Sequence, residues 1–263
     1  MDGKNDIVVE SWGELCDRLY DNSWQPSLKR YRSDYAFRGV SDKSYGLTTS
    51  FVRLCETRPR LEYHLLRNFR KYADVPAGNS HYSDWRWLII AQHHGLPTRL
   101  LDWTYSPFVG AHFATAETAK YDCDAAIWFV DYVKVNKLLP NPFADELSNV
   151  GAHAFTLEML ERSLGDIRSF DALGADFVTF FEPPSIDERI VNQFALFSLM
   201  SSPTSQFDAW LEAHPDLYGR IIIPRELKWE VRDKLDQANI TERMLFPGLD
   251  GLASWLKRHY TPK

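Results

Sequence analysis

Two imidazoles, an amide, a guanidinium, a carboxylate and two hydroxyls are gathered between Gln92 and Thr104, within the run AQHHGLPTRLLDWTYSP. Gly95 and Pro97 enforce a turn in its middle, since glycine admits backbone conformations closed to other residues and proline fixes its own φ. So many donors, acceptors and charges on one turn are expected to form a site. A histidine titrating near neutrality, His93 or His94, could serve there as a general base. A structural reading stands beside this one for each residue: either histidine capping the carbonyls of a preceding helix, and Arg99 paired with Asp102.

A second candidate is Arg38 in YAFRGV, a charge inside an otherwise apolar strand, followed by a glycine that lets a backbone or a ligand come close. Its planar fork suits a phosphate or carboxylate held by two parallel hydrogen bonds. A core carboxylate such as Glu62 or Asp102 would satisfy it equally, and the sequence leaves the two open. A third is Gln193, which interrupts an apolar, strand-like run beside Glu188 and Arg189, either at an edge or in a pocket wall.

Other chemistries lack their residues. Adjacent histidines on a helix point about 100° apart, so His93 and His94 do not readily share an ion, and no cysteine pair or second histidine cluster completes a site. No bound metal is expected. There is no Gly-x-Ser-x-Gly elbow, no cysteine beside a histidine, no Gly-x-Gly-x-x-Gly run and no Walker-type loop. A dinucleotide would have to be held without a Rossmann fingerprint.

Capping and periodicity outline the elements that must carry these residues. Ser11 with Glu14 three residues on is a capping box and starts a first helix. Residues 35–40 read as a short strand. From Pro59 to residue 73, Leu61, Leu65, Leu66 and Phe69 recur at helical spacing with Glu62 on their side, so that helix could bury a carboxylate. Ser83 caps a stronger helix that stops at Gly95, which puts Gln92, His93 and His94 on its last turn. Residues 98–104 are extended, and Ser106-Pro107 opens a helix to 118 whose Gly110, Ala111 and Ala114 allow close packing. Strands are expected at 125–131, 176–181, 193–200 and 217–223, helices at 156–164, 226–237 and 249–259, and proline-marked loops at 140–142 and 182–187. This mixture has no βαβ rhythm, so the fold class is α+β. With no repeat, low-complexity tract or linker, the 263 residues are expected to form one domain.

Hydrophobic residues at 44% and charged ones at 25% allow a substantial core. An aromatic content of 14% supplies rings for core, pocket walls or base stacking alike. The net charge of −6 offers no global field for nucleic acid. Arg53, Arg58, Arg60, Arg67, Arg70 and Lys71 form the densest basic run, expected to be a solvated helix face. Three dispersed cysteines, no signal-like start and no membrane-length apolar stretch lead to the expectation of a cytoplasmic protein with reduced thiols and no membrane partner.

Phe37-Arg38-Gly39, then Arg53 and Glu62, the whole stretch from Gln92 to Thr104, Pro107, Phe113-Ala114, Arg189-Ile190, Gln193, Phe197 and the closing LFPGLDGLASWL closely resemble the FRG-domain family, named for its Phe-Arg-Gly motif. The likeness covers about residues 12–256 of a single domain spanning 1–263. That family looks like a distant relative of ADP-ribosyltransferases, which split NAD at the nicotinamide–ribose bond and pass ADP-ribose to a target. The resemblance implies a split, mixed or antiparallel sheet flanked by helices, with an ADP-ribosyltransferase-like core and NAD as substrate. It implies a bacterial or phage toxin or defence effector modifying RNA, DNA or protein, with an antitoxin or inhibitory protein as a further partner.

Carried over residue by residue, Arg38 takes the first-strand position and with Gly39 contacts NAD. Gln92, His93, Thr98, Arg99, Trp103 and Thr104 surround its ribose and nicotinamide, and Trp103 or Tyr105 could stack on the nicotinamide ring. Catalysis would fall to Arg38, His94, Asp102 and Gln193. Gln193 stands where many such enzymes carry a glutamate; an amide can hydrogen-bond but cannot offset charge, so either Glu62, Asp102, Glu182 or Glu188 supplies the carboxylate instead or the activity is altered. The alternatives are a non-catalytic module that binds a nucleotide or a partner protein, and a hydrolase with a histidine base.

Overall fold

The computed structural model describes residues 5–55, 58, 60–73, 82–174 and 176–262. Among them the strands are β1 (Asp6–Val8), β2 (Trp24–Gln25), β3 (Arg30–Tyr31), β4 (Tyr35–Val40), β5 (Leu101–Thr104), β6 (Ala125–Asp131), β7 (Phe155–Thr156), β8 (Val178–Glu182), β9 (Ala195–Met200) and β10 (Tyr218–Ile223). Eight of them make one sheet in the order β1-β10-β6-β4-β5-β9-β8-β7, and β2 pairs with β3 in a separate ribbon. The outer pairs β1–β10 and β7–β8 are parallel and the pairs between them antiparallel, so the sheet is mixed. Helices flank it, and the class is α+β.

The central strand β6 reads AAIWFVD, apolar on both faces, because the sheet is covered on both sides. On one face a continuous core crosses the sheet through Ala36 and Val40 of β4, Leu101 and Trp103 of β5, Trp128 of β6, Phe180 of β8 and Leu196 of β9. The other face is divided. Phe37, Ile127 and Ile221 pack with Val9, Leu15, Ala111 and Val231, under helices Trp12–Leu19, Pro107–Ala114 and Lys228–Gln237. Phe181, Phe197 and Leu199 pack instead with Leu88, Phe143 and Leu160, under helices Asp84–His93, Asn141–Val150 and Leu157–Leu164.

The division follows a seam in the sheet itself. β4 pairs with β6 along its whole length and β5 with β9 along its whole length, but β4 and β5 meet at one register pair, Phe37 with Thr104. Beyond that pair the two strands part. Gly39 lies where β4 crosses helix Pro107–Ala114: a Cβ there would sit 2.0 Å from the Gly110 carbonyl oxygen and 2.4 Å from the Ala114 nitrogen, so only glycine allows this approach.

Several boundaries differ from the sequence reading, each for a local reason. The helix expected to reach 118 stops at Ala114, where the Thr115 hydroxyl donates to the Ala111 carbonyl at 2.9 Å, and a separate 3-10 turn follows at Thr118–Lys120. Pro140 and Pro142 start helix Asn141–Val150 rather than break a loop, because a first-turn residue needs no amide donor. Pro59, expected in the helix observed as Leu61–Tyr72, lies outside the described residues. Among the described residues no helix is long and apolar enough to cross a membrane.

Candidate functional site in the opened seam

A cavity of about 260 Å³ lies in the seam. Arg38 and Gly39 of β4, Asp102, Trp103 and Thr104 of β5, Gln92 and His93 at the end of helix Asp84–His93, and Arg189, Gln193 and Phe197 from the β9 side all line it. The strand arginine and the histidine-turn-aspartate stretch, more than fifty positions apart in sequence, therefore share one cavity. His94, Thr98 and Arg99 do not reach it.

The turn that divides these residues is a helix ending. Gly95 has φ +80°, its N–H bonds the Gln92 carbonyl at 3.0 Å, and the Leu96 N–H bonds the Ala91 carbonyl at 2.9 Å. This double bond pattern closes the helix and throws the chain back toward the sheet. His94, at the cap, is left exposed. The Thr98 hydroxyl donates to Gln92 Oε1, while Gln92 Nε2 donates to Asp102 Oδ2 at 2.9 Å, so one amide joins the turn to the strand. Thr98 thus supports the site from below.

Arg99 is wholly buried and structural in its contacts. Its Nε donates to Glu62 Oε2 at 2.7 Å, its Nη1 and Nη2 bond Asp171, and its own backbone N–H donates to Glu62 Oε1 at 3.1 Å. The pairing with Asp102 considered from sequence does not form. The two carboxylates hold the Arg99 guanidinium firmly protonated against the opposing effect of burial.

Arg38 is held differently. Its Nη1 donates to the Asp102 carbonyl oxygen at 2.6 Å, a side chain bridging the strands where the ladder has lapsed. Its Nε is buried with no hydrogen-bond partner among the described residues. Desolvation pulls its pKa below that of a free guanidinium; Asp102 opposes the shift, and the nearby Arg53 guanidinium adds to it. Neither Glu62 nor the Asp102 carboxylate is its hydrogen-bond partner.

His93 Nε2 lies 2.6 Å from Asp187 Oδ2. Burial lowers the imidazole pKa, and the Asp187 charge partly restores it. The second oxygen of Asp187 accepts the Ile190 N–H at 3.0 Å as the N-cap of helix Glu188–Asn192, which fixes the carboxylate in place. Asp187 was not singled out from the sequence; the signal was an aspartate followed by Glu188 after the Pro183-Pro184 break. Arg189, on the same short helix, sits 4.9 Å over the Phe246 ring.

Gln193, expected within a strand, instead ends this helix, and Phe194 at φ +48° turns the chain into β9. A five-residue helix and a left-handed residue use up the front half of the apolar run, because Asp187 offers the cap. The Gln193 side-chain Nε2 donates to the Leu245 carbonyl at 2.9 Å, and the Gln193 backbone carbonyl accepts the Thr104 hydroxyl at 2.7 Å. Trp103 is buried, its Nε1 donating to Ser198 Oγ at 2.8 Å and its ring held edge-on by Phe180 and Phe207. Tyr105 bonds Glu182 at 2.9 Å and does not line the cavity. Of the four carboxylates considered, Glu62 is buried against Arg99, Glu182 is bonded to Tyr105, Glu188 is exposed on its helix, and Asp102 alone lines the cavity.

Fold and site together define an α+β protein with an arginine-bearing cavity, lined by polar and apolar side chains alike, where its mixed sheet is opened. Residues 33–123 match the FRG domain, which supports the resemblance drawn from the motifs. The match contains Arg38, Arg53, Glu62 and the whole stretch from Gln92 to Thr104, whereas Asp187, Arg189 and Gln193 lie beyond it. No curated protein and no solved structure matches the chain.

Proposed function

We propose that the protein is an ADP-ribosyltransferase that takes NAD into the β4–β5 seam and passes ADP-ribose to a macromolecule inside the cell. The observation that carries this reading is Arg38, a half-buried guanidinium whose buried Nε has no partner among the described residues, in one cavity with Asp102 and His93. A buried donor without a partner costs about 1–3 kcal/mol, which a fold keeps when a ligand uses the group. With Arg53 nearby, Arg38 suits the pyrophosphate of a dinucleotide. At about 260 Å³ the cavity falls just below the roughly 300–1,000 Å³ of small-molecule sites. It would seat the nicotinamide-ribose half and leave the adenosine outside.

In this reaction the bond from ribose C1′ to the nicotinamide nitrogen breaks, and its electron pair leaves with nicotinamide. Positive charge grows on the ribose, and the Asp102 carboxylate offsets it. The acceptor forms the new bond to C1′ and gives its proton to His93, which Asp187 orients. Gln193, with its amide already engaged, contributes a wall rather than charge. Such an activity suits a toxin or defence effector restrained by an inhibitory protein. That same engaged amide favours a second reading, a module that binds NAD or another nucleotide without turnover.

NAD labelled in its adenylate half, incubated with the protein and cell lysate, is expected to label a macromolecule and release nicotinamide in equal amount. Calorimetric binding with no label transferred would select the second reading; neither binding nor loss of NAD would overturn both. The rate should also titrate. Burial depresses the imidazole, so activity is present at neutral pH and falls on the acid side with a midpoint below 6.5. Asp187→Asn removes the charge that raises His93 and should move that midpoint lower still. His93→Gln should slow the reaction by about 10²-fold and erase the acid limb; an unchanged limb would assign the proton elsewhere.

A further inference from the structure

A groove of about 950 Å³ lies apart from the seam. One wall is helix Leu61–Tyr72 with the residue before it. Arg60, His64, Arg67 and Lys71 are spaced by four, three and four residues, which places them in one stripe along that helix. With Arg70 and Arg168, five arginine and lysine side chains line the groove besides His64, against two carboxylates, Asp84 and Asp166. Both carboxylates are engaged: Asp84 pairs with Arg70 at 2.6 Å, and Asp166 accepts the Ser169 N–H at 2.8 Å. This excess of positive charge sits on a chain whose net charge is −6. Arg70 also keeps a buried Nε with no partner among the described residues.

One tyrosine ring lies in the groove and a second follows its last lysine in sequence. Tyr63 lines the groove with Arg168 5.3 Å from its ring, and Lys71 lies 4.9 Å over Tyr72, which is 76% exposed. Positive side chains that follow phosphates, interleaved with rings on which bases stack, are the combination that holds single-stranded nucleic acid. A duplex would leave those rings unused, since its bases are already stacked on one another.

The groove is joined to the seam. Helix Asp84–His93 carries Asp84 at the groove and Gln92 and His93 at the cavity, and its 10 residues span roughly 15 Å. Glu62, on the groove helix, and Asp171, which accepts a hydrogen bond from the groove's Tyr63, are the two partners of Arg99.

We infer that this groove binds single-stranded nucleic acid and, resting on the transfer reading for that part alone, that such a strand is the acceptor. A fluorescein-labelled single-stranded RNA of about 12 nucleotides, and DNA of the same sequence, should bind in the absence of NAD, measured by anisotropy. With three to five phosphates neutralised at about 0.7 counterion each, log K should fall against log salt with a slope of roughly −2 to −3.5. Arg67 and Lys71 are exposed, so the double variant Arg67→Glu, Lys71→Glu should keep its unfolding midpoint, lose at least tenfold in affinity and show a shallower slope. Tyr72→Ala should weaken binding roughly fivefold or more with the slope unchanged. Absence of binding at low salt, affinity untouched by the charge reversal, or equal competition by polyglutamate would overturn the inference. The two ideas fail separately. NAD-dependent labelling that survives the charge reversal removes the groove and spares transfer, whereas strand binding without NAD consumption removes transfer and spares the groove.

Discussion

Arg38→Met is expected to weaken NAD binding and turnover severely while leaving the stability of the fold unchanged or slightly raised. Among the described residues the guanidinium makes one hydrogen bond, to the Asp102 carbonyl, and its buried Nε has no partner. Losing a neutral-acceptor bond of this kind costs about 1 kcal/mol, and removing an unsatisfied buried donor returns a similar amount. The two nearly cancel in the free protein. With ligand the balance is different. Two charge-assisted bonds to a pyrophosphate are together worth about 3–4 kcal/mol, so kcat/KM should fall by roughly 10²–10³-fold. Arg38→Lys keeps the charge but not the fork and should recover only part of the loss. Urea unfolding beside calorimetric titration with NAD separates the two effects. A variant destabilised by several kcal/mol would make Arg38 a structural bridge between β4 and β5, and the case for a ligand anchor would lapse.

The sequence announced what short-range chemistry decides. β4 and β6 run over 35–40 and 125–131 as read, because β-branched and aromatic residues bounded by polar ones leave little choice. Ser11 and Ser83 cap the helices assigned to them, with bonds to the backbone of Glu14 and Arg86. Glu62 is the buried carboxylate its helical side suggested. What stayed hidden depended on distance. Nothing near Arg99 points to Asp171, which arrives from a five-residue helix, and nothing in the β5 sequence shows that it meets β4 at a single pair. Periodicity also reads poorly where an element is short: β1, three residues long, pairs with β10 at the sheet edge, and helix Glu188–Asn192 hides inside an apolar run. The candidate site was therefore legible as a set of residues and not as a set of roles, since Arg38 and Arg99 look alike in sequence and differ in whether their partners are present.

That difference fixes the second large effect, which runs opposite to the first. Glu62→Gln should destabilise the protein by about 3 kcal/mol and Arg99→Met by about 3–5 kcal/mol, because each leaves buried charge without its counterpart. For a chain of this size that corresponds to a fall in Tm of roughly 6–15 °C. The glutamine variant is the milder because Asp171 still pairs with Arg99 and the amide oxygen can still accept the Arg99 N–H. Arg99→Met is the harsher: it strands Glu62, whose side chain is 3% exposed, and Asp171 at 20%. A Glu62→Met, Arg99→Met double variant should lie well above the sum of the singles, since an apolar pair replaces an ionic one of similar size and only Asp171, bonded to Tyr63 and open to water, is left. Activity should fall in Glu62→Ala even below its unfolding temperature, because that side chain no longer pins the backbone at Arg99, three residues before the Asp102 carboxylate that the reaction uses. If urea unfolding placed Arg99→Met within about 1 kcal/mol of the parent, the pair would be hydrated rather than buried. The turn would then have to be held from the Gln92 side alone, and Gln92→Ala would become the variant that loses both stability and rate.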